Sequence, residues 1–125
     1  MFTIHTLIPE LAKRHGKIYT LSDKLRFYSN YPFYIKPLDD KYAIWCYYPY
    51  EIVPTYEVLK HCVEINGKFI KCRFSIVQDR LCADWISPKE EIFSTIEQLK
   101  CYLGFAVKEL LTQEYDRTNA KEETV

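Results

Sequence analysis

Among five cysteines and three histidines, His61 and Cys72 are the one pair worth testing as base and nucleophile. A thiolate beside an imidazolium is a working nucleophile. Asn66-Gly67 lies between two alternating stretches and reads as a hairpin turn, because both residues tolerate positive φ. A two-residue turn there sets His61 directly opposite Cys72 on the neighbouring strand. Both positions belong to the apolar side of that hairpin, where a thiol behaves as a small hydrophobe. No acid or amide is spaced to orient the imidazole, and no Gly-rich segment accompanies the cysteine. The pair is expected to pack, not to react.

Metal and phosphate chemistry find less support. In the same register Cys62 and Cys82 share the polar side but lie two strands and about four residues apart. At ~4.8 Å per strand and ~3.3 Å per residue that is about 16 Å, too far for a disulfide or one zinc ion. His5 and His15 lie ten residues apart with no cysteine near them. The cysteines are odd in number and never spaced C-x-x-C, which weakens zinc and thioredoxin-like readings; with no secretory signal read in 1–16, reduced thiols and a cytoplasmic location are expected. Three glycines form neither a Rossmann nor a Walker loop. Asp39-Asp40 reads as a turn, and Glu90-Glu91 as a charged approach to a helix. No catalytic residue, metal or cofactor is assigned.

The tyrosines carry the other signal. Nine of eleven fall between Tyr19 and Tyr56, interleaved with Lys17, Lys24, Arg26, Lys36 and Lys41. Rings and cations on a sheet can hold single-stranded nucleic acid by stacking and phosphate contact. The same side chains suit a protein partner, since tyrosine is enriched in binding patches. Tyr28, Tyr31, Tyr34, Lys36, Tyr47, Tyr48 and Tyr50 are the candidate ligand surface. The plainer alternative is that strands favour tyrosine and a small sheet needs aromatic cover.

These residues need elements to position them. The Asn66-Gly67 turn and a second at Gln78-Asp79 define a three-stranded meander over 58–86. Val63 then faces Ile70, Phe74 faces Ala83, Ile76 faces Leu81 and Cys72 faces Trp85, and one register sorts apolar from polar sides on all three strands. Downstream, Ser94-Thr95-Ile96-Glu97 has the form of a capping box. Ile96, Leu99, Leu103, Ala106, Val107, Leu110 and Leu111 recur at helical spacing, so a long helix is expected over about 95–115. Ser87-Pro88-Lys89-Glu90 offers an earlier start. Ile4, Leu7, Ile8 and Leu11 predict a short N-terminal helix, with Pro9 in its first turn and Gly16 at its end. Strands are expected over 33–36 and 42–48, with a further pair around Ser22-Asp23, and a loop over 47–55. The fold class is α+β, an antiparallel sheet packed with an N-terminal and a C-terminal helix.

At 125 residues the chain is one ordinary domain. It divides into a folded part, 1–115, and a polar, flexible tail, 116–125. Apolar residues make up 48% and charged residues 27%, which excludes a disordered chain. No apolar run is long enough to span a bilayer. Seventeen basic and seventeen acidic residues cancel, so there is no net pull on nucleic acid or an anionic membrane. The expected function is a small, non-catalytic binding protein working through protein contacts or self-association. Single-stranded nucleic-acid binding is the alternative, and a small cysteine-dependent enzyme the second alternative. On the long helix Cys101 and Phe105 point away from the core stripe. They are expected in a homodimer contact with Tyr102 at its rim.

Overall fold

The structure is a computed structural model that describes residues 4–68 and 72–123, with side chains excepted at 67, 68 and 112–123. Six antiparallel strands form one sheet in the order β1-β2-β3-β4-β6-β5. They are β1 (Ile18–Thr20), β2 (Leu25–Ser29), β3 (Tyr31–Leu38), β4 (Lys41–Tyr47), β5 (Arg73–Val77) and β6 (Arg80–Pro88). Three helices accompany them: α1 (Ile8–His15), α2 (Tyr56–Lys68) and α3 (Ile92–Glu123). The α+β class, the antiparallel sheet, the N-terminal helix and the long C-terminal helix are as expected.

Local chemistry accounts for most boundaries. Pro9 stands in the first turn of α1, where its missing N–H is not needed. Gly16 ends that helix at φ 83°, ψ −138°, a conformation that only glycine adopts without strain. The two-residue turns after β3 and β5 hold Asp39 at φ 53° and Gln78 and Asp79 at φ 52° and 60°. Positive φ at both central positions of the β5 turn, and at the first of the β3 turn, matches the right-handed twist of the flanking strands. Phe74 pairs with Ala83 and Ile76 with Leu81, as the sequence register requires.

The first strand of the expected meander does not exist. Residues 56–68 form α2, so Asn66-Gly67 lies in a helix and makes no hairpin. Val58, His61, Cys62 and Ile65 are the buried positions, spaced i, i+3, i+4, i+7 like the face of a helix. Val63, which the meander sets opposite Ile70, is exposed, and so is Leu59. Thr55 starts the helix, its hydroxyl accepting the Val58 N–H at 3.3 Å. Phe69, Ile70 and Lys71, which the meander placed on its middle strand, lie outside the described residues.

α3 begins at Ile92, three residues before the expected start, after a 3-10 turn over Lys89–Glu91. The Ser94 hydroxyl donates back to the Glu91 carbonyl at 2.9 Å and does not cap the helix. Ile92, Ile96, Leu99, Leu103, Ala106 and Leu110 are buried as one stripe. The expected tail at 116–125 falls where side chains are not described, and Thr124 and Val125 lie outside the described residues.

The core lies between the helices and one face of the sheet. Leu25, Phe27, Phe33, Ile35, Ile44, Cys46, Phe74, Ala83 and Trp85 alternate inward from successive strands into one cluster with Leu11, Ile65 and the α3 stripe. α3 packs on β4 and β6, α2 on β5, and α1 on β1 and β2. The helices leave the other face of the sheet uncovered.

Candidate functional site: the open face of the sheet

Period-two alternation decides which side chains reach the open face. The strand register then lines them up in rows. One row crosses all six strands: Tyr19 opposite Arg26, Arg26 opposite Tyr34, Tyr34 opposite Trp45, Trp45 opposite Asp84 and Asp84 opposite Arg73. Next to it, Lys36 faces Ala43 and Ala43 faces Ile86. On the other side, Tyr47 faces Cys82 and Cys82 faces Ser75.

The central rings pack on one another. Tyr34 and Trp45 have centroids 5.4 Å apart and planes 13° from parallel, and Tyr34 and Tyr47 follow at 6.1 Å and 20°. Side-by-side coplanar rings cannot approach this closely, so each ring covers part of its neighbour's face. Lys24 and Arg26 sit over Tyr34 at 5.8 and 5.9 Å, and Arg80 over Tyr47 at 5.8 Å. The Tyr47 hydroxyl is pushed above its ordinary pKa, first by burial and then by its hydrogen bond with Tyr34.

Two adjoining hollows mark this face. A groove of about 940 Å³ runs over β4, β6 and β5, lined by Leu38, Ala43, Trp45, Val77, Asp84 and Ile86 among others. A second, of about 390 Å³, is lined by Lys24, Tyr34, Tyr47 and Arg80 and shares Trp45, Val77 and Cys82 with the first. Leu38, Val77 and Ile86 are all exposed, Ile86 at 58% of its surface.

Four of the sequence candidates, Tyr28, Tyr34, Lys36 and Tyr47, reach the open face. Tyr31 and Tyr48 turn to the helix-covered side and pack against the core. Tyr50 lies in the loop before α2 with its ring edge-on to Tyr48 at 5.2 Å. Lys36 is engaged by Asp23 at 3.3 Å. Trp45, Arg80, Val77 and Ile86 were missed as site residues. The signal was available for Trp45, because alternation places it on the same face as Tyr47.

The proposed cross-strand pairing of His61 with Cys72 falls with the strand that carried it. His61 is buried on α2, its Nε2 3.1 Å from Glu109 Oε2 on α3 and its Nδ1 3.8 Å from Glu64 Oε2. It ties two helices together. Cys72 is buried just before β5, and its pKa is pushed up to about 12, chiefly by burial and then by Asp84 and Cys82. Cys82 is raised to about 12 by the same burial and by Asp84. Neither thiol is a ready nucleophile at neutral pH. The 16 Å spacing of Cys62 and Cys82 also assumed the lost strand, since Cys62 lies on α2. Among the described residues no cluster of three His, Cys, Asp or Glu could hold a metal ion, and no helix is long and apolar enough to cross a membrane.

On α3, Cys101 is exposed and Phe105 is half-exposed. Tyr102 stacks on Trp85 with centroids 6.2 Å apart. Gly104 receives the Tyr31 hydroxyl, which lies 3.1 Å from where a Cβ would stand. No family model, curated protein or solved structure matches this chain.

Proposed function

We propose that this chain is a small, non-catalytic, cytoplasmic binding module that holds a protein partner on the open face of its sheet. The observation that carries this reading is the adjoining pair of hollows on the face that the described helices leave uncovered, with exposed Ile86, Val77 and Leu38 beside Trp45. Contiguous apolar surface rimmed by polar groups is how partner sites differ from ordinary surface. Trp, Tyr and Arg, the residue types that dominate binding energy, stand together there. Capture experiments with Ile86→Asp and Trp45→Ala should lose the partners that the parent chain retains. Leu59→Glu, on the exposed side of α2, should keep them. Equal capture by all three variants would remove the open face from the function.

Single-stranded nucleic acid is the second reading, favoured by the alternation of Tyr19, Arg26, Tyr34 and Trp45 across four strands. It is the weaker one because stacked neighbours and cations already occupy the ring faces a base would use. Salt-dependent binding of oligothymidylate, weakened by Arg26→Ala, would reverse the order of the two. A second copy of the chain is the further partner considered, meeting the back of α3 at Cys101 and Phe105 with Tyr102 at the rim.

A further inference from the structure

The occupant of the open face can be specified by its chemistry, on the basis that this face is where a partner protein binds. We infer that it takes an acidic segment of the partner, one carrying aliphatic or aromatic side chains among its Asp and Glu residues. The two hollows differ in character. The larger presents Leu38, Ala43, Val77 and Ile86 to solvent, and it suits apolar side chains. The smaller is bordered by Lys24 and Arg80, with Arg26 reaching over Tyr34 from the next strand. Among the described residues no carboxylate forms an ion pair with Lys24, Arg26 or Arg80. Lys36 and Arg73, by contrast, are matched by Asp23 at 3.3 Å and Asp84 at 3.2 Å.

Three cations with no carboxylate partner among the described residues, Arg80 holding only the Pro49 carbonyl at 3.1 Å, stand beside an apolar groove and select for a segment that brings both kinds of group at once. The shared wall of Trp45, Val77 and Cys82 sets the hollows side by side, within reach of one extended segment lying across both. A polyphosphate backbone fits this surface less well. The exposed Ile86 and Val77 would gain nothing from it.

The test is selection from a random-peptide display library on the full chain, followed by anisotropy titration of the selected, dye-labelled peptides. Enrichment in Asp and Glu together with Leu, Ile, Val or Phe is expected. Affinity should drop about tenfold or more in the Lys24→Glu/Arg26→Glu variant and should fall as salt rises. Enrichment in Lys and Arg, or in neutral peptides indifferent to that variant, would overturn the inference. The protein-binding reading would survive that result if Ile86→Asp still abolished binding. If no peptide is retained, or if selected peptides bind Ile86→Asp and the parent equally, the inference and the protein-binding reading fall together. Circular dichroism of each variant separates lost binding from lost folding.

Discussion

Cys46, Cys72 and Cys82 come from adjacent strands β4 and β6 and the approach to β5, and all three are buried. Burial raises each thiol's pKa, with neighbouring Asp84 adding to the effect at Cys72 and Cys82. A thiol whose pKa is higher in the folded than in the unfolded chain binds its proton more tightly when folded. Its contribution to stability is complete below the unfolded value of about 8.5 and is lost as pH climbs towards the folded value. Two outcomes are expected. At pH 8, Cys101 should react with a thiol reagent fastest and Cys82, in the wall of the open-face hollows, slowly, while Cys46 and Cys72 label only as the chain unfolds; mass spectrometry of digested protein assigns the sites. Between pH 9 and about 12 the melting temperature should decline, and less so in a Cys72→Ala/Cys82→Ala double variant. Rapid native labelling of Cys72 would bring back a cysteine-based activity.

At the scale of elements, α2 is the part most easily misread. Its Asn66 resembles half of a hairpin turn, yet its amide serves the neighbouring edge strand. Asn66 Oδ1 accepts the Phe74 N–H at 2.6 Å, and Asn66 Nδ2 donates to the Phe74 carbonyl at 3.0 Å. One side chain thus satisfies both main-chain groups of Phe74, which point away from β6, and it blunts part of an edge that would otherwise invite pairing. Asn66→Ala leaves that donor and acceptor without these partners in a partly buried place. A loss of about 2 kcal/mol is expected, read from the urea midpoint. An unchanged midpoint would mean that water replaces the amide fully.

For the whole molecule, the consequential feature is that three helices crowd one face of a six-stranded sheet. That arrangement builds a core from every strand while leaving Trp45, Ile86 and the cations outside. It also leaves the back of α3 in solvent, where Phe105 retains half its surface. If a second copy covers that side, Phe105→Glu should yield a folded monomer at concentrations where the parent sediments as a dimer. A parent that is already monomeric at high concentration would dismiss the dimer and leave the open face as the interaction surface. The half-exposure of Phe105 makes this substitution tolerable to the fold, so a variant that unfolds would place the ring in the core and count against the dimer as well.

Much of this architecture was legible before any tertiary contact. Pro9 and Gly16 bracket α1, Asp39 and the Gln78-Asp79 pair take the positive φ their turns require, and the α3 stripe from Ile96 to Leu110 is the buried one. These are local properties, set by backbone sterics and by side-chain periodicity within one element. Residues 56–68 satisfied two periods at once. Leu59, His61, Val63 and Ile65 alternate like a strand, and Val58, His61, Cys62 and Ile65 recur like a helix. In so short a segment only the surface it packs against separates the two. Here β5 and α3 accept the helical set and leave Leu59 and Val63 in solvent. The tyrosines divide for the same reason. Alternation assigns Tyr34 and Tyr47 to one side and Tyr31 and Tyr48 to the other, but it does not say which side the helices will cover. That choice belongs to the packed sheet, because burial is a property of neighbours that are distant in sequence.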